Sequence, residues 1–131
     1  DIWERVRMAL QNGKLPLAKS IARRIADFDE KNIKLLDLIN QTPKALLEDN
    51  PKSHKTGHKK APKKISASFK TRTGIELHLF ALDRLARSSV PEAVDLFTNF
   101  KNKLSSEDQA YAWGRIAYHA ARTHNPKALE Y

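Results

Sequence analysis

The sequence predicts an all-α fold of about seven helices, paired as hairpins and stacked into an α-superhelix, or solenoid. Apolar residues recur at the helical period of about 3.6 residues along most of the chain. Four helix starts carry Pro-x-Ala, and three carry Ser or Thr followed three residues later by Glu or Gln. No segment shows the apolar-polar alternation of a half-buried strand.

Ile2, Val6, Ala9 and Leu10 share the face of a first helix, which Asn12-Gly13 stops. Leu17, Ile21, Ile25 and Phe28 make a second stripe after Pro16. Ile33, Leu36 and Ile39, flanked by Leu35 and Leu38, make a third. A short helix from Pro43 to Glu48 follows, capped by Thr42 with proline at its first position. Thr73 with Glu76 has capping-box spacing ahead of Leu79, Leu82 and Ala86. Ser89 with Glu92 repeats it before Ala93, Phe97, Phe100 and Leu104, and Ser106 with Gln109 before Ala110, Trp113, Ala117 and Ala121. Asn125-Pro126 opens a last helix. The Pro-x-Ala starts lie at Pro16, Pro43, Pro91 and Pro126, and the last two are 35 residues apart, the size of a helix-turn-helix repeat.

Charge is unevenly spread. The 131 residues hold 24 Lys and Arg against 15 Asp and Glu, a net of +9. Between Pro51 and Ile75 there is no acidic residue, and eight cations stand together: Lys52, Lys55, Lys59, Lys60, Lys63, Lys64, Lys70 and Arg72. The rest of the chain is nearly neutral. One helical segment over 1–131, with a basic loop at 51–72 inserted between helices, is therefore the expected organisation. The eight cations are the candidate contact for an acidic polymer, through salt-dependent binding. Phe69 is the segment's one aromatic residue and Arg72 its one arginine, too few for base readout or stacking, so specific nucleic-acid recognition is not expected.

Chemistry is sparse. With no cysteine, a disulfide framework, a thiolate zinc site and a cysteine nucleophile are all excluded. His54 and His58 have helical ligand spacing but sit among lysines and turn residues, which oppose a divalent cation, so neither metal nor cofactor is expected. His78, His119 and His124 lack a partner at recognisable spacing and read as surface or half-buried side chains. Asp27, Asp29 and Glu30 suit a helix junction, and Glu107 and Asp108 suit the first turn of a helix. Trp3, Trp113, Tyr111 and Tyr118 could form a sugar-stacking platform, but their helical spacing favours hairpin core. The four glycines form no phosphate loop, no catalytic residue is identified, and no apolar run reaches the ~18 residues of a membrane span. The chain opens at Asp1 without an initiator Met and stops mid-pattern at Tyr131, and it reads as a piece of a longer protein.

Arg5-Val6-Arg7-Met8-Ala9-Leu10-Gln11-Asn12-Gly13, followed by Leu17-Ala18 and Ile21-Ala22-Arg23, resembles a hairpin of the superhelical N-terminal region of soluble lytic murein transglycosylases. Ala81 to Arg87, Glu92-Ala93 and Asp108-Gln109 through Ala128-Leu129 are similar to later parts of that region. The basic segment matches no position of the pattern. The resemblance implies a bacterial, periplasmic enzyme that cleaves peptidoglycan strands without water, leaving a 1,6-anhydro sugar. A single glutamate of a lysozyme-like domain does so without metal. No residue here matches that glutamate's motif, so the chain is expected to be non-catalytic scaffold whose partners are peptidoglycan strands and other cell-wall proteins. Two further readings stay open: a stand-alone helical-repeat module that binds proteins, and a nucleic-acid-binding domain using the lysine-rich loop.

Overall fold

A computed structural model of the chain describes residues 2–26, 28–47 and 67–122. Among these residues all regular structure is helical, as expected. Seven α-helices, α1 (Ile2–Gln11), α2 (Leu15–Ala22), α3 (Glu30–Gln41), α4 (Pro43–Leu47), α5 (Arg72–Ser88), α6 (Val90–Phe100) and α7 (Ser106–Arg122), are joined by one 3-10 turn at Lys101–Lys103. The helix expected at Asn125-Pro126 and most of the basic loop lie outside the described residues.

The α1–α2 hairpin closes where Asn12-Gly13 predicts a stop. Lys14 N–H donates to Ala9 O (2.8 Å) and Gly13 N–H to Leu10 O (3.1 Å), the paired bonds of a Schellman end, with Gly13 in the left-handed region at φ 72°. Ala9, Ala18 and Ala22 are buried, and such small side chains let two helix backbones approach closely. Helix α2 ends at Ala22, earlier than its stripe predicts. Arg24 N–H bonds Ile21 O and Ile25 N–H bonds Ala22 O, so the chain tightens into turns. Phe28 is buried from the connection instead, 6.0 Å from the Trp3 ring. Asp29 then caps α3, its carboxylate accepting from Asn32 N–H at 3.0 Å.

Three expected caps differ in detail. Thr42 donates its hydroxyl to Leu38 O (3.0 Å), ending α3 rather than opening α4. Thr71, not Thr73, caps α5 by accepting from Gly74 N–H (3.0 Å); Thr73 is buried within the first turn. Ser105, not Ser106, caps α7, accepting from Asp108 N–H at 3.1 Å. In both helices the capping residue stands one or two positions upstream of the expected one, where its oxygen can reach a free N–H of the first turn; Thr71 does so from extended backbone. Arg72 thus belongs to α5, not to the loop of 51–72.

Helix α5 organises the rest. Its Leu77, Phe80 and Ala81 join a core with Val6, Ala9, Phe28, Leu36, Ile39 and Leu46. Its Leu79, Leu82, Leu85 and Ala86 join a second core with Val90, Phe97, Phe100, Ala112 and Ile116. Gly74 lets the segment before α5 lie against the helix, because a Cβ there would occupy the position of the Ser68 carbonyl. A third stripe on α5 is charged: Arg72, Glu76, Asp83 and Arg87, with Phe80 between them. Arg72 meets Asp108 and Asp83 meets His119, each 36 residues on, so α5 and α7 run in the same direction in constant register. Arg7 meets Glu76 near the start of α5, and α1 lies along the other side in the same sense.

Replacing Gly13 by Ala places a Cβ in open space, so only the left-handed backbone resists it, and about 1 kcal/mol should be lost in chemical denaturation. Gly74→Ala must instead displace backbone and should cost more, about 2–3 kcal/mol.

Candidate functional site: a charged groove over α5

The charged stripe of α5 is the floor of a groove whose walls are α1 and α7. A hydrogen bond across it, Gln11 Nε2 to Tyr111 Oη at 2.7 Å, divides it into two ends. Tyr111 also lies under the Arg7 guanidinium, 4.2 Å from its ring centroid. Burial raises the Tyr111 phenol above its ordinary value.

The first end, about 680 Å³, lies beside the starts of the three helices. Glu76 is buried and accepts from Arg7 Nε (2.8 Å), Arg7 Nη2 (2.5 Å) and Arg72 Nη1 (2.9 Å). Arg72 also forks onto Asp108, Nη1 to Oδ1 at 3.0 Å and Nη2 to Oδ2 at 2.8 Å. The Ser105 hydroxyl donates to Asp108 Oδ2 at 3.0 Å. These contacts, the Arg72 bond first, hold the Asp108 carboxyl below its usual range, and the same bond raises Arg72. Two carboxylates and two guanidinium groups are mutually satisfied here, which is the chemistry of a clamp. Glu4 and Glu107 add negative charge at the rim.

The second end, about 300 Å³, lies where the same three helices finish. Asp83 Oδ1 accepts from Arg115 Nε (2.8 Å) and His119 Nε2 (2.7 Å). Burial pushes the Asp83 carboxyl upward, but the bonds from His119 and Arg115 prevail and leave it below its ordinary value. Arg84 donates Nε to Asn40 Oδ1 at 2.8 Å. Arg87 and Arg122 join them, so four arginines surround one aspartate. Tyr118, 49% exposed, sits 4.6 Å from Arg115 and 5.7 Å from Arg122 over its ring.

Of the cations expected to touch an acidic polymer, Lys52, Lys55, Lys59, Lys60, Lys63 and Lys64 lie outside the described residues, as do His54, His58, Asp27 and His124. Lys70 is exposed in the turn before α5, whereas Arg72 is engaged by Asp108 and Glu76. Phe69 stacks on His78 at 3.9 Å and packs on Phe100 at 5.5 Å, so the segment's aromatic ring serves the core. His78 and His119 are buried, a correction to the surface or half-buried reading: His78 bonds Gly74 O (2.9 Å), and His119 has an aspartate partner that no sequence motif announces. Trp3 and Trp113 pack against Phe28 and Phe97, as core. Tyr111 also packs against the second core while lining the groove, whereas Tyr118 is exposed and lines the groove alone. Among the described residues no group of three or more His, Asp or Glu could hold a metal ion, and no helix is long and apolar enough to cross a membrane.

Two measurements probe these ion pairs. Asp83→Ala leaves the half-buried Arg115 without its carboxylate and should cost about 3–5 kcal/mol in denaturant unfolding at pH 7. The Asp108 carboxyl is depressed in the fold, so its stabilisation is complete above the unfolded value of about 4 and is lost as pH falls below it. The thermal-midpoint gap between the wild type and Asp108→Asn should accordingly be wide at pH 7 and narrow at pH 3.

No protein family, no curated protein and no solved structure matches the chain.

Proposed function

We propose that this chain is part of the helical scaffold of a periplasmic lytic murein transglycosylase, forming a wall that guides glycan strands toward a catalytic domain elsewhere in the protein. The observation that carries this reading is the α1–α2 hairpin. The residues of the resemblance, Ala9-Leu10-x-x-Gly13 with Ala18 and Ala22, are those that close the turn and fill the interface between the two helices. The constant 36-residue offset between α5 and α7 adds support, because stacked hairpins of one repeat place successive first helices side by side in one direction. Within this reading the groove over α5 faces the wall polymer.

The groove's arginine end favours a second reading, a helical-repeat module that binds acidic peptides or proteins outside any wall enzyme. The two separate on purified peptidoglycan sacculi. Residues 1–131 should cosediment with sacculi and release nothing, while the product of the complete reading frame should release 1,6-anhydro-muropeptides. Release of reducing-end products, or a reading frame without a lysozyme-like domain, would overturn the scaffold reading and leave the second.

A further inference from the structure

At the end of the groove where α1, α5 and α7 finish, four arginines face one aspartate, and that aspartate is committed to Arg115 and His119. Basic residues in a last helical turn are ordinary, since each helix end carries about half a negative charge. Three such ends offset about 1.5 charges, roughly half of the three positive charges that the arginines hold over Asp83. The excess is also oriented. Arg84 and Arg115 are each pinned through Nε, by Asn40 and Asp83, and their Nη groups meet no acceptor among the described residues. A guanidinium held by Nε keeps its planar fork in place, which lowers the entropy lost when it binds a carboxylate through two parallel bonds. Arg87 and Arg122 form no ion pair among the described residues, and Tyr118 carries Arg122 and Arg115 against its ring.

We propose that this cleft binds the carboxylates of a short acidic peptide, with Arg84 and Arg115 as fixed forks and Arg87 and Arg122 supplying further positive charge. Its volume of about 300 Å³ is at the small end of ligand sites, enough for a peptide segment. A nucleic acid fits poorly. A polyanion continuing along the groove would pass the Gln11–Tyr111 bridge and meet Glu4, Glu107 and a first end already neutralised by its own ion pairs. Discrete carboxylates that end within the cleft avoid that repulsion. The source of the peptide rests on the scaffold reading above: the stem peptides of peptidoglycan carry free carboxylates, and they would be its ligand.

The test is calorimetric titration of residues 1–131 with five probes: the stem tripeptide L-Ala-γ-D-Glu-diaminopimelate, the same peptide with its carboxyls amidated, N-acetyl-Glu-Glu, inorganic phosphate and a single-stranded oligonucleotide. The stem peptide should bind, salt should weaken it, and the amidated form should bind at least tenfold less tightly. Arg87→Gln with Arg122→Gln should weaken binding at least tenfold while lowering the thermal midpoint by only a few degrees, because both side chains are exposed and contribute only the small helix-end and ring contacts. Equal binding of the amidated peptide, unchanged affinity in the double variant, or phosphate or a single-stranded oligonucleotide bound more tightly than either peptide would overturn the proposal. If N-acetyl-Glu-Glu binds in the same arginine-dependent way but sacculi do not retain the chain, the cleft stands and the scaffold reading falls.

Discussion

The register between α5 and α7 rests on two carboxylates. Asp108 reaches back to Arg72 at the start of the groove, and Asp83 reaches forward to Arg115 and His119 toward its end. Apolar packing alone would tolerate a slide of one helix along the other at little loss of buried area, since the hydrophobic effect is not directional. Ion pairs of defined geometry do not tolerate it: a shift of one turn would strand both aspartates in a poorly solvated crevice without their partners. The charged face therefore selects one arrangement among several that the cores would accept. It also makes the groove, because a stripe that must remain polar cannot be covered by a further apolar helix.

The same economy explains why the groove is divided by sign. Toward the helix starts the carboxylates are matched by Arg7 and Arg72, and Glu4 and Glu107 leave the rim acidic. Toward the helix finishes the single aspartate is outnumbered. A nearly neutral helical body can thus present two opposed patches, and its overall charge balance hides them. The +9 of the whole chain concerns a different segment and says little about the surface that the helices build.

Much of the fold was legible in the residues. Apolar spacing placed the helices, Asn12-Gly13 marked the first hairpin, and Ser89 with its oxygen 3.4 Å from Glu92 N–H opened α6 where expected. Caps slipped by one or two residues where adjacent hydroxyls competed, as at Ser105 and Ser106, because i, i+3 spacing alone does not say which backbone is extended. The groove was harder to read. Arg72 looked like the last cation of a basic run, and His119 looked unpartnered, since their carboxylates lie 36 residues away. One signal was present: on α5, Arg72, Glu76, Asp83 and Arg87 fall on one helical face, and α7 carries Asp108, Arg115 and His119 at matching steps with complementary charge. The offset is one residue longer than the 35 between Pro91 and Pro126, so only a comparison of charges at 36 exposes the pairing.

Because α5 supplies apolar side chains to both cores, neither half of the molecule can close without it. In a chain of independent hairpins, each unit adds its own stability and the ends can fray alone. Here the shared helix ties the α1–α4 side to the α6–α7 side, and losing either core exposes a flank of α5 to water. The two halves are therefore coupled in unfolding, and the groove between α1 and α7 persists or vanishes as a unit, with cooperativity set by a helix that contributes its floor.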